Sequence, residues 1–573
     1  MPPRPGRWPP APGVLLLVGL LILPWLCVPP VHAQDDEIDR LLAGMSTTQK
    51  VAQLFMVSLW GEVLTLDGAD FLASYPPGGV ILFGYNTSTP EQITRLTNDI
   101  QAAIIAQPGA VPAWIAIDQE GGPVSRLATA EANAFTAFPV SMAIAATGDP
   151  AYAQSIGLAT AEELRAVGIT MNLAPVADVE TNPDNPVIFR RAFSADPALV
   201  GAMAAAMIRG LQEGGVLATA KHFPGHGDTS DDSHLTLPVV PHDRARLDVV
   251  ELAPFGQAIA ADVGAILVAH VAYPALDPAP DTPASLSAPI VSGLLRQELG
   301  FDGLIMTDAL DMDAIDLRYS LAHASLLALQ AGADLITPGP HVSLETQQAA
   351  IEAVVRAVED GTLPLERIED SVRRILRLKT QFGVLDWSPL DPATARQRIN
   401  HDTHEQLVSQ LLAAAVTLAY DQTGAIPLST EQHVALIYPA TLPSIARTCE
   451  AYHPALRFVG VSLGPTAEER SWAVEAARAA EIVIVFTIDA AQNPDLQALV
   501  HALPPEKTIA VALRSPYDWQ QFPDIAGYMA VYTPLPAAID AACAALFGAQ
   551  PVTGVLPVNL GPALMAGSGL RLP

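Results

Sequence analysis

Short apolar segments recur along the first 340 residues, and longer stretches with apolar residues at helical spacing separate most of them. Segments that read as continuous apolar runs, rather than as alternating ones, are typical of strands buried on both faces of a parallel sheet. The pattern predicts eight strands, at Leu54–Trp60, Gly79–Gly84, Ala113–Asp118, Met171–Asp178, Val216–Phe223, Ala265–Val271, Gly303–Asp308 and Ala333–Gly339.

Amphipathic stretches predict helices at Pro90–Ile105, Pro150–Ala166, Pro197–Gln212 and Leu321–Ala331. Proline at the start of three of them is a helix-start signal, because the first helical residue needs no backbone N–H. Eight buried strands separated by helices indicate an α/β fold of the (β/α)8, TIM-like barrel type. We assign this catalytic barrel to residues 37–385, with residues 386–400 as a linker.

The remainder of the chain, residues 401–573, has a different pattern of apolar segments. Strand-like runs alternate there with helical segments, which predicts a smaller three-layer α/β sandwich domain. The runs are His433–Tyr438, Ile482–Thr487, Thr508–Leu513 and Tyr528–Tyr532, and the clearest helices are Ala467–Ala479 and Ala537–Phe547. No G-x-G-x-x-G follows the first of these strands, which disfavours a dinucleotide-binding role, and we expect no cofactor.

The first 33 residues have the pattern of a signal peptide. Arg4 and Arg7 precede an apolar run from Gly13 to Val28, and Val31-His32-Ala33 resembles a small-x-small cleavage site. The alternative is an uncleaved anchor, which is disfavoured because the apolar run is shorter than the roughly 20 residues that span a bilayer. We therefore expect a secreted protein, extracellular or associated with the cell wall.

Composition narrows the possible partners. The formal net charge is −30, so the basic surface that nucleic acids or anionic membranes require is missing. Half of the residues are apolar, which excludes intrinsic disorder. Cys449 and Cys543, the two cysteines beyond the signal segment, either form one disulfide or remain buried free thiols. We expect a monomer.

Polar or ionisable residues stand at the ends of several predicted barrel strands. The carboxyl ends of barrel strands meet on one rim, where barrel enzymes assemble their active sites. One such residue alone would indicate a cap or a loop contact, whereas several together indicate chemistry. They are Asp118, Asp178, Lys221, His222, His270 and Asp308.

The segment Lys221–His234 follows the fifth predicted strand and is the richest in chemical groups. One interpretation is a metal site, with His226, Asp228, Asp232 and His234 as ligands. The other is metal-free: Asp232 holds the imidazole of His234 in one tautomer, and His234 acts as a general acid and base. The first predicted strand carries no His-x-His, which favours the metal-free interpretation.

Asp308 ends the seventh predicted strand and would face this loop across the rim. A fixed carboxylate opposite an acid/base residue is the arrangement for double displacement at a sugar anomeric carbon, with net retention. Asp311 and Asp313 come later in the loop and are better placed as caps or supports. The usual second group in this chemistry is a carboxylate, so a histidine in that role is uncommon.

At this point the sequence resembles glycoside hydrolase family 3, specifically its β-N-acetylglucosaminidases of the NagZ type in their two-domain, Gram-positive-like form. The resemblance covers roughly residues 38–573, and the Lys221–His234 loop is its most specific motif. The other matching stretches are Ile117-Asp-Gln-Glu-Gly-Gly122, Asn172-Leu-Ala-Pro-Val-Ala-Asp178, Asn185-Pro-Val-Ile188 with Arg191, Phe301–Leu310 and Ala510–Asp518.

The resemblance implies that Asp308 is the nucleophile, His234 the acid/base and Asp232 its partner. It also implies a set of residues that bind the terminal N-acetylglucosamine ring, namely Asp118, Arg126, Arg191, Lys221 and His222. Pro123 and Phe189 depart from the family pattern, which usually has Arg and Gly there. Both positions lie beside pocket residues and leave the preference for the leaving group open.

The sequence therefore predicts a retaining exo-β-N-acetylglucosaminidase that acts on a carbohydrate partner, either cell-wall muropeptides or chitooligosaccharides. Three alternatives remain. Phosphate replaces water as the acceptor in a phosphorylase, which an imidazole acid/base permits because it repels phosphate less than a carboxylate does. A catalytically silent glycan-binding protein would bind without turnover, and a metal-dependent hydrolase would be inhibited by a chelator.

Overall fold

The computed structural model describes Met1 and residues 31–131, 133–279, 281–399 and 401–573. Most of the predicted signal peptide lies outside these ranges; residues 31–33 begin a helix that runs from Val31 to Gly44. None of the helices within the described ranges is both long and apolar enough to cross a bilayer.

The first half of the chain forms a parallel eight-stranded sheet that curls into a barrel. The strands, in chain order, are β1 (Met56–Ser58), β2 (Gly79–Leu82), β3 (Trp114–Ile117), β4 (Gln119–Gly121), β5 (Val124–Ser125), β6 (Met171–Asn172), β7 (Leu217–Phe223), β8 (Ala265–Val268), β9 (Leu304–Ala309) and β10 (Leu335–Thr337). Strands β4 and β5 pair as a separate hairpin, and the other eight follow one another around the sheet. A parallel bridge between Phe55 and Ile336 joins the two ends.

Each of the eight predicted strands overlaps one barrel strand, and the predicted fold class is confirmed. The fourth is much shorter than predicted, because β6 ends at Asn172 and Asp178 lies six residues beyond it. The helices of this half are α1 (Val31–Gly44), α2 (Thr47–Ala52), α3 (Leu66–Ser74), α4 (Pro90–Ile104), α5 (Ser141–Ala146), α6 (Pro150–Ala166), α7 (Pro197–Glu213), α8 (Arg244–Val249), α9 (Ala253–Ala260), α10 (Asp313–Asp316), α11 (Leu321–Ala331), α12 (Leu344–Glu359) and α13 (Leu365–Gln381). A π-helical segment covers Pro289–Glu298.

The second half forms a six-stranded mixed sheet between helices. Its elements are α14 (Ala395–Arg398), α15 (His401–Ala415), β11 (Thr417–Asp421), β12 (Val434–Pro439), α16 (Ser444–Tyr452), β13 (Arg457–Val461), α17 (Ala467–Ala479), β14 (Ile482–Thr487), α18 (Pro494–Ala502), β15 (Thr508–Ala512), β16 (Gly527–Ala530) and α19 (Pro536–Leu546). The sheet order is β11-β16-β15-β14-β12-β13, with only β11 antiparallel to its neighbour.

Two of these six strands, β11 and β13, were not predicted. Strand β11 begins two residues after helix α15 ends, so the apolar run through both reads as one helix. Strand β13 lies at the sheet edge and starts at the exposed Arg457, without the continuous apolar signal of its buried neighbours. The predicted linker also contains an unpredicted short helix, α14.

Cys449 in α16 and Cys543 in α19 are both fully buried and form a disulfide. The sequence left this pairing open, and the packing of α16 against α19 settles it. The disulfide lies within the second half of the chain. The two halves are joined by His404 of α15, which contacts Glu163 and Glu162 of α6 at 2.8 and 2.9 Å. One continuous apolar core includes buried residues of both halves, so the second domain packs firmly on the barrel.

Candidate active site

A cavity of about 190 Å³ opens at the carboxyl ends of the barrel strands. It contains the predicted nucleophile, the predicted acid/base residue and every residue predicted to bind the sugar. These are Asp308, His234, Asp118, Arg126, Arg191, Lys221 and His222. Asp232 contacts His234 and lines an adjoining cavity instead. The barrel topology thus collects on one rim residues as far apart in the chain as Asp118 and Asp308.

Asp308 is the fifth of the six residues of β9, and its Oδ1 accepts a hydrogen bond from the Ala309 amide at 2.8 Å. Burial alone would raise the pKa of this carboxyl. The neighbouring His270 and His222, the Ala309 amide and Lys221 outweigh burial and hold the pKa of Asp308 below its usual value. Asp308 is therefore ionised at neutral pH, as a nucleophilic carboxylate must be.

His234 and Asp232 form a pair within the loop that follows β7. Asp232 Oδ1 accepts the His234 backbone N–H at 2.8 Å and contacts the ring Nδ1 at 2.7 Å. Asp232 is partly buried, which raises its pKa, but these contacts to His234 lower the pKa below its usual value. The Asp313 amide, beyond β9, lies 3.4 Å from the His234 carbonyl oxygen. With Nδ1 engaged by Asp232, Nε2 is the ring nitrogen left to exchange a proton with a substrate.

Two carboxylates and three cations line one wall of the cavity. Lys221 Nζ lies 2.7 Å from both Asp118 Oδ1 and Glu120 Oε1. Arg191 binds Glu120 with two parallel hydrogen bonds of 2.8 and 2.9 Å. Arg126 reaches Asp118 at 3.3 Å. These charges fix one another's positions, which makes a rigid set of donors and acceptors for sugar hydroxyls.

Glu120 also lines this cavity, and it was not among the residues predicted from the sequence. It lies two residues after Asp118 within the same quoted motif, and that adjacency was the available signal. Burial would raise the pKa of Glu120, but Arg191 and Lys221 hold it far below its usual value. The same carboxylates raise the pKa of Lys221 against the opposite effect of its burial.

Replacing Glu120 with glutamine is expected to lower the free energy of unfolding by about 3–5 kcal/mol, because it leaves two buried cations with one carboxylate fewer. Urea unfolding of the two proteins measures this difference. The matched control is Glu298→Gln, because Glu298 pairs with Arg244 but is exposed; its cost should stay below about 1 kcal/mol. Equal, small costs for both variants would contradict the role of Glu120.

The difference between the wild type and Glu120→Gln should also depend on pH. The pKa of Glu120 is lower in the folded protein than its ordinary value of 4.5. Its stabilising contribution is therefore fully present above that ordinary value and is lost progressively as the pH falls below it. Unfolding experiments between neutral pH and pH 3 would show the two stabilities converging.

Asp178 organises the site without lining the cavity. It is fully buried; its Oδ2 contacts His222 Nδ1 at 2.7 Å, and its Oδ1 accepts the His226 amide at 2.6 Å. Burial opposes its ionisation, but His222 and His226 lower the pKa of Asp178 below its usual value. This arrangement turns His222 Nε2 toward Arg191, 3.4 Å away. Asp178 is a positioning residue at the base of the Lys221–His234 loop.

His270, another residue predicted at a strand end, also supports the site by contacting the end of β9. Its Nδ1 lies 2.7 Å from Ser285 Oγ, and its Nε2 lies 2.9 Å from the carbonyl oxygen of Ala309, next to Asp308. Burial lowers the pKa of His270, against the opposite effect of the Asp308 carboxylate. The ring thus holds the end of β9 in place.

The four residues of the metal interpretation do not converge. Both ring nitrogens of His226 are engaged, by Thr229 Oγ1 at 2.8 Å and Ser233 Oγ at 2.9 Å. Asp228 lies on a different side of the loop, in contact with His242 and Arg246. Over the part of the chain that the structure describes, no group of three or more His, Cys, Asp or Glu side chains could hold a metal ion.

A second cavity, of about 360 Å³, adjoins the first on the side of the Asp232–His234 pair. The two departures from the family pattern, Pro123 and Phe189, both line it, together with Arg190. Phe189 has a left-handed backbone (φ 40°), which is costly for a residue with a side chain. Its ring stacks on Tyr517 of the second domain, with centroids 6.1 Å apart. The second domain therefore supports the wall of this cavity.

Comparisons with known proteins place the chain in a family. Residues 46–378 match the model described as the glycosyl hydrolase family 3 N-terminal domain. A protein named beta-hexosaminidase A from Pseudoalteromonas piscicida is 34% identical over 462 residues, which are 77% of this chain and 74% of that protein. A Cellulomonas fimi protein named beta-N-acetylglucosaminidase/beta-glucosidase is 26% identical over 93% of this chain and 98% of its own.

A solved structure agrees with these matches. The family 3 beta-N-acetylglucosaminidase from Paenibacillus sp. str. FPU-7 superimposes with a TM-score of 0.80 at 36% identity, covering 90% of this chain and 99% of that one. The family match covers more than half of this chain, and it includes β1 to β10. The resemblance read from the motifs is confirmed: the chain belongs to glycoside hydrolase family 3.

Proposed function

We propose that the protein is a retaining exo-β-N-acetylglucosaminidase that removes terminal N-acetylglucosamine from β-linked glycans. The observation that carries this proposal is that Asp308 and the Asp232-bound His234 line one cavity. Its volume of about 190 Å³ suits one sugar ring and not a chain, which favours cleavage at a terminus. The names of the Cellulomonas fimi relative and of the Paenibacillus structure support N-acetylglucosamine as the sugar.

The terminal sugar would be held by the charged wall of the cavity. Asp118 and Glu120 offer acceptor oxygens, while Arg126, Arg191 and Lys221 offer donors. A neutral ring with several hydroxyls is bound well by such a set because each hydroxyl both donates and accepts. His222, turned by Asp178, would add one further contact.

The reaction would proceed in two displacements. First, a carboxylate oxygen of Asp308 bonds to the anomeric carbon as the bond to the leaving oxygen breaks, and His234 Nε2 gives its proton to that oxygen. Second, water attacks the anomeric carbon, the ester bond to Asp308 breaks, and the neutral imidazole takes the proton from the water. Asp232 would stabilise the imidazolium before the first step and after the second.

The leaving group would occupy the second cavity, which His234 and Arg191 share with the first. The natural glycan is a cell-wall muropeptide or a chitooligosaccharide in this proposal. We further propose export of the protein through its N-terminal segment. A disulfide between Cys449 and Cys543 supports export, because disulfides persist mainly in oxidising compartments.

Time-resolved proton NMR tests the proposed chemistry. With 4-nitrophenyl β-N-acetylglucosaminide as substrate, the first N-acetylglucosamine released is expected to be the β anomer, since two displacements restore the configuration. An initial α product would contradict the double displacement. Repeating the reaction with phosphate tests phosphorolysis, which would yield N-acetylglucosamine 1-phosphate, and repeating it with a chelator tests the metal alternative.

A further inference from the structure

Three aromatic rings form a stack that leads from the catalytic cavity to the protein surface. Phe83 lines that cavity, and its ring lies 5.6 Å from that of Tyr85, with an angle of 26° between the planes. The Tyr85 ring in turn lies 4.3 Å from that of Trp60, at 13°. Trp60 ends the stack and is 59% exposed. A large aromatic side chain is thus displayed near the mouth of the site.

The position of Trp60 is fixed by the fold. Trp60 follows β1 and Tyr85 follows β2, which are adjacent strands of the barrel. Tyr85 covers one face of the Trp60 ring, so the exposed area belongs to the other face and the edge. An ordered, flat, open aromatic face loses little conformational entropy when a ligand binds to it.

The groups around the open side of Trp60 indicate what it binds. A separate cavity of about 320 Å³ borders Trp60, with an apolar lining that includes Val63 and Leu344. Asp67, Glu345 and His341 supply polar atoms in the same cavity. A pyranose ring has an apolar C–H face and an edge of hydroxyls, so an aromatic plane flanked by carboxylates complements it. The two carboxylates disfavour an anionic ligand.

We infer that this surface, which we call the Trp60 platform (Trp60, Asp67, His341 and Glu345), binds a sugar ring of the glycan substrate outside the catalytic cavity. The inference rests on the proposed function for the kind of glycan. The platform cavity shares no lining residue with the leaving-group cavity beside His234. The Trp60 platform binds a more distant part of a long glycan and thereby slows dissociation of the enzyme from that glycan.

Substrate length is the variable that tests the platform. Replacing Trp60 with alanine is expected to raise the KM for a soluble N-acetylglucosamine hexasaccharide about tenfold, the equivalent of roughly 1.4 kcal/mol of lost binding. The KM for 4-nitrophenyl N-acetylglucosaminide, which is too short to reach the platform, should change less than twofold. Trp60→Phe, which keeps an aromatic face, should recover most of the affinity for the hexasaccharide.

Trp472→Ala is the matched control, because Trp472 is 50% exposed on α17 of the second domain. It should leave both KM values unchanged. Equal effects of the Trp60 and Trp472 substitutions, or an equal effect of Trp60→Ala on short and long substrates, would overturn the inference. So would a dimer in analytical ultracentrifugation that Trp60→Ala dissociates, because the platform would then be an interface between two copies.

Failure of the proposed function would give a different experimental result from failure of the Trp60 platform. A wild-type protein that releases no N-acetylglucosamine from any substrate contradicts the proposed function and not the platform. In that case isothermal titration of the hexasaccharide into wild type and Trp60→Ala tests the platform alone. Binding that is about tenfold weaker in the variant supports it, and identical binding overturns it.

Discussion

Asparagine in place of Asp308 is expected to lower kcat/KM for 4-nitrophenyl N-acetylglucosaminide by about 10⁴- to 10⁶-fold, the scale on which enzymes lose activity with their nucleophile. The reason is specific to this position. His270, His222 and Lys221 keep the Asp308 carboxyl ionised despite its burial, and an amide of the same shape has neither the charge nor the nucleophilic oxygen. Initial rates of nitrophenol release measure the effect.

Asp302→Asn is the matched control for this experiment. Asp302 stands six residues earlier, just before β9, and is exposed. This substitution removes the same charge from the same segment and should leave kcat/KM within about twofold of the wild type, since isolated surface changes have little effect. Asp308→Asn protein that unfolds like the wild type and still turns over at the wild-type rate would refute the nucleophile.

Removal of the His234 imidazole has the second largest expected effect. His234→Ala should reduce kcat/KM for an alkyl N-acetylglucosaminide by about 10²- to 10⁴-fold, the usual contribution of general acid–base catalysis. The pH–rate profile should lose the limb that reports protonation of the ring. For a substrate whose leaving group departs without a proton, such as 2,4-dinitrophenolate, His234→Ala should slow the first displacement much less.

Two further variants separate the acid/base role from a structural one. Asp232→Asn removes the charge held 2.7 Å from His234 Nδ1 and should lower kcat/KM less than His234→Ala does, because the imidazole remains. His323→Ala, at an exposed histidine on α11, should change neither rate nor profile. An unchanged pH profile in His234→Ala would rule His234 out as the acid/base.

The barrel could be predicted from sequence because its strands are buried on both faces and therefore read as unbroken apolar runs. Strands β2 and β3, for example, are buried at every residue. Strand β11 could not be predicted in the same way, because it continues an apolar helix without a turn between them. Edge strand β13 was missed for another reason: most of its residues are partly exposed, so they do not form a continuous apolar run.

Some features of the site could likewise be predicted from the sequence and others could not. Strand-end position located Asp308 and Lys221, because a barrel brings all strand ends to one rim. The same reasoning could not separate contact from support: Asp178 looked equivalent to Asp118, yet it is buried behind His222. Glu120 was missed because only the fold shows that Arg191, 71 residues away, pairs with it.

The His226 and Asp228 side chains show why the metal interpretation could not be resolved from sequence. Their spacing is compatible with shared coordination, but the loop turns His226 inward onto Thr229 and Ser233. Cys449 and Cys543 are the converse case, because the fold brings these two side chains together. Their separation of 94 residues gave no sign of a bond, and only the packing of α16 on α19 brings them together.

Mass spectrometry of a trapped intermediate shows whether Asp308 is the nucleophile. In His234→Ala, 2,4-dinitrophenyl N-acetylglucosaminide should still react with Asp308, whereas hydrolysis of the product ester lacks its general base and slows. We expect that the intact protein gains the mass of one N-acetylglucosaminyl group and that peptide mapping places it on Asp308. The absence of any adduct while dinitrophenol is released, or an adduct on Asp311 or Asp313 instead, would contradict this expectation.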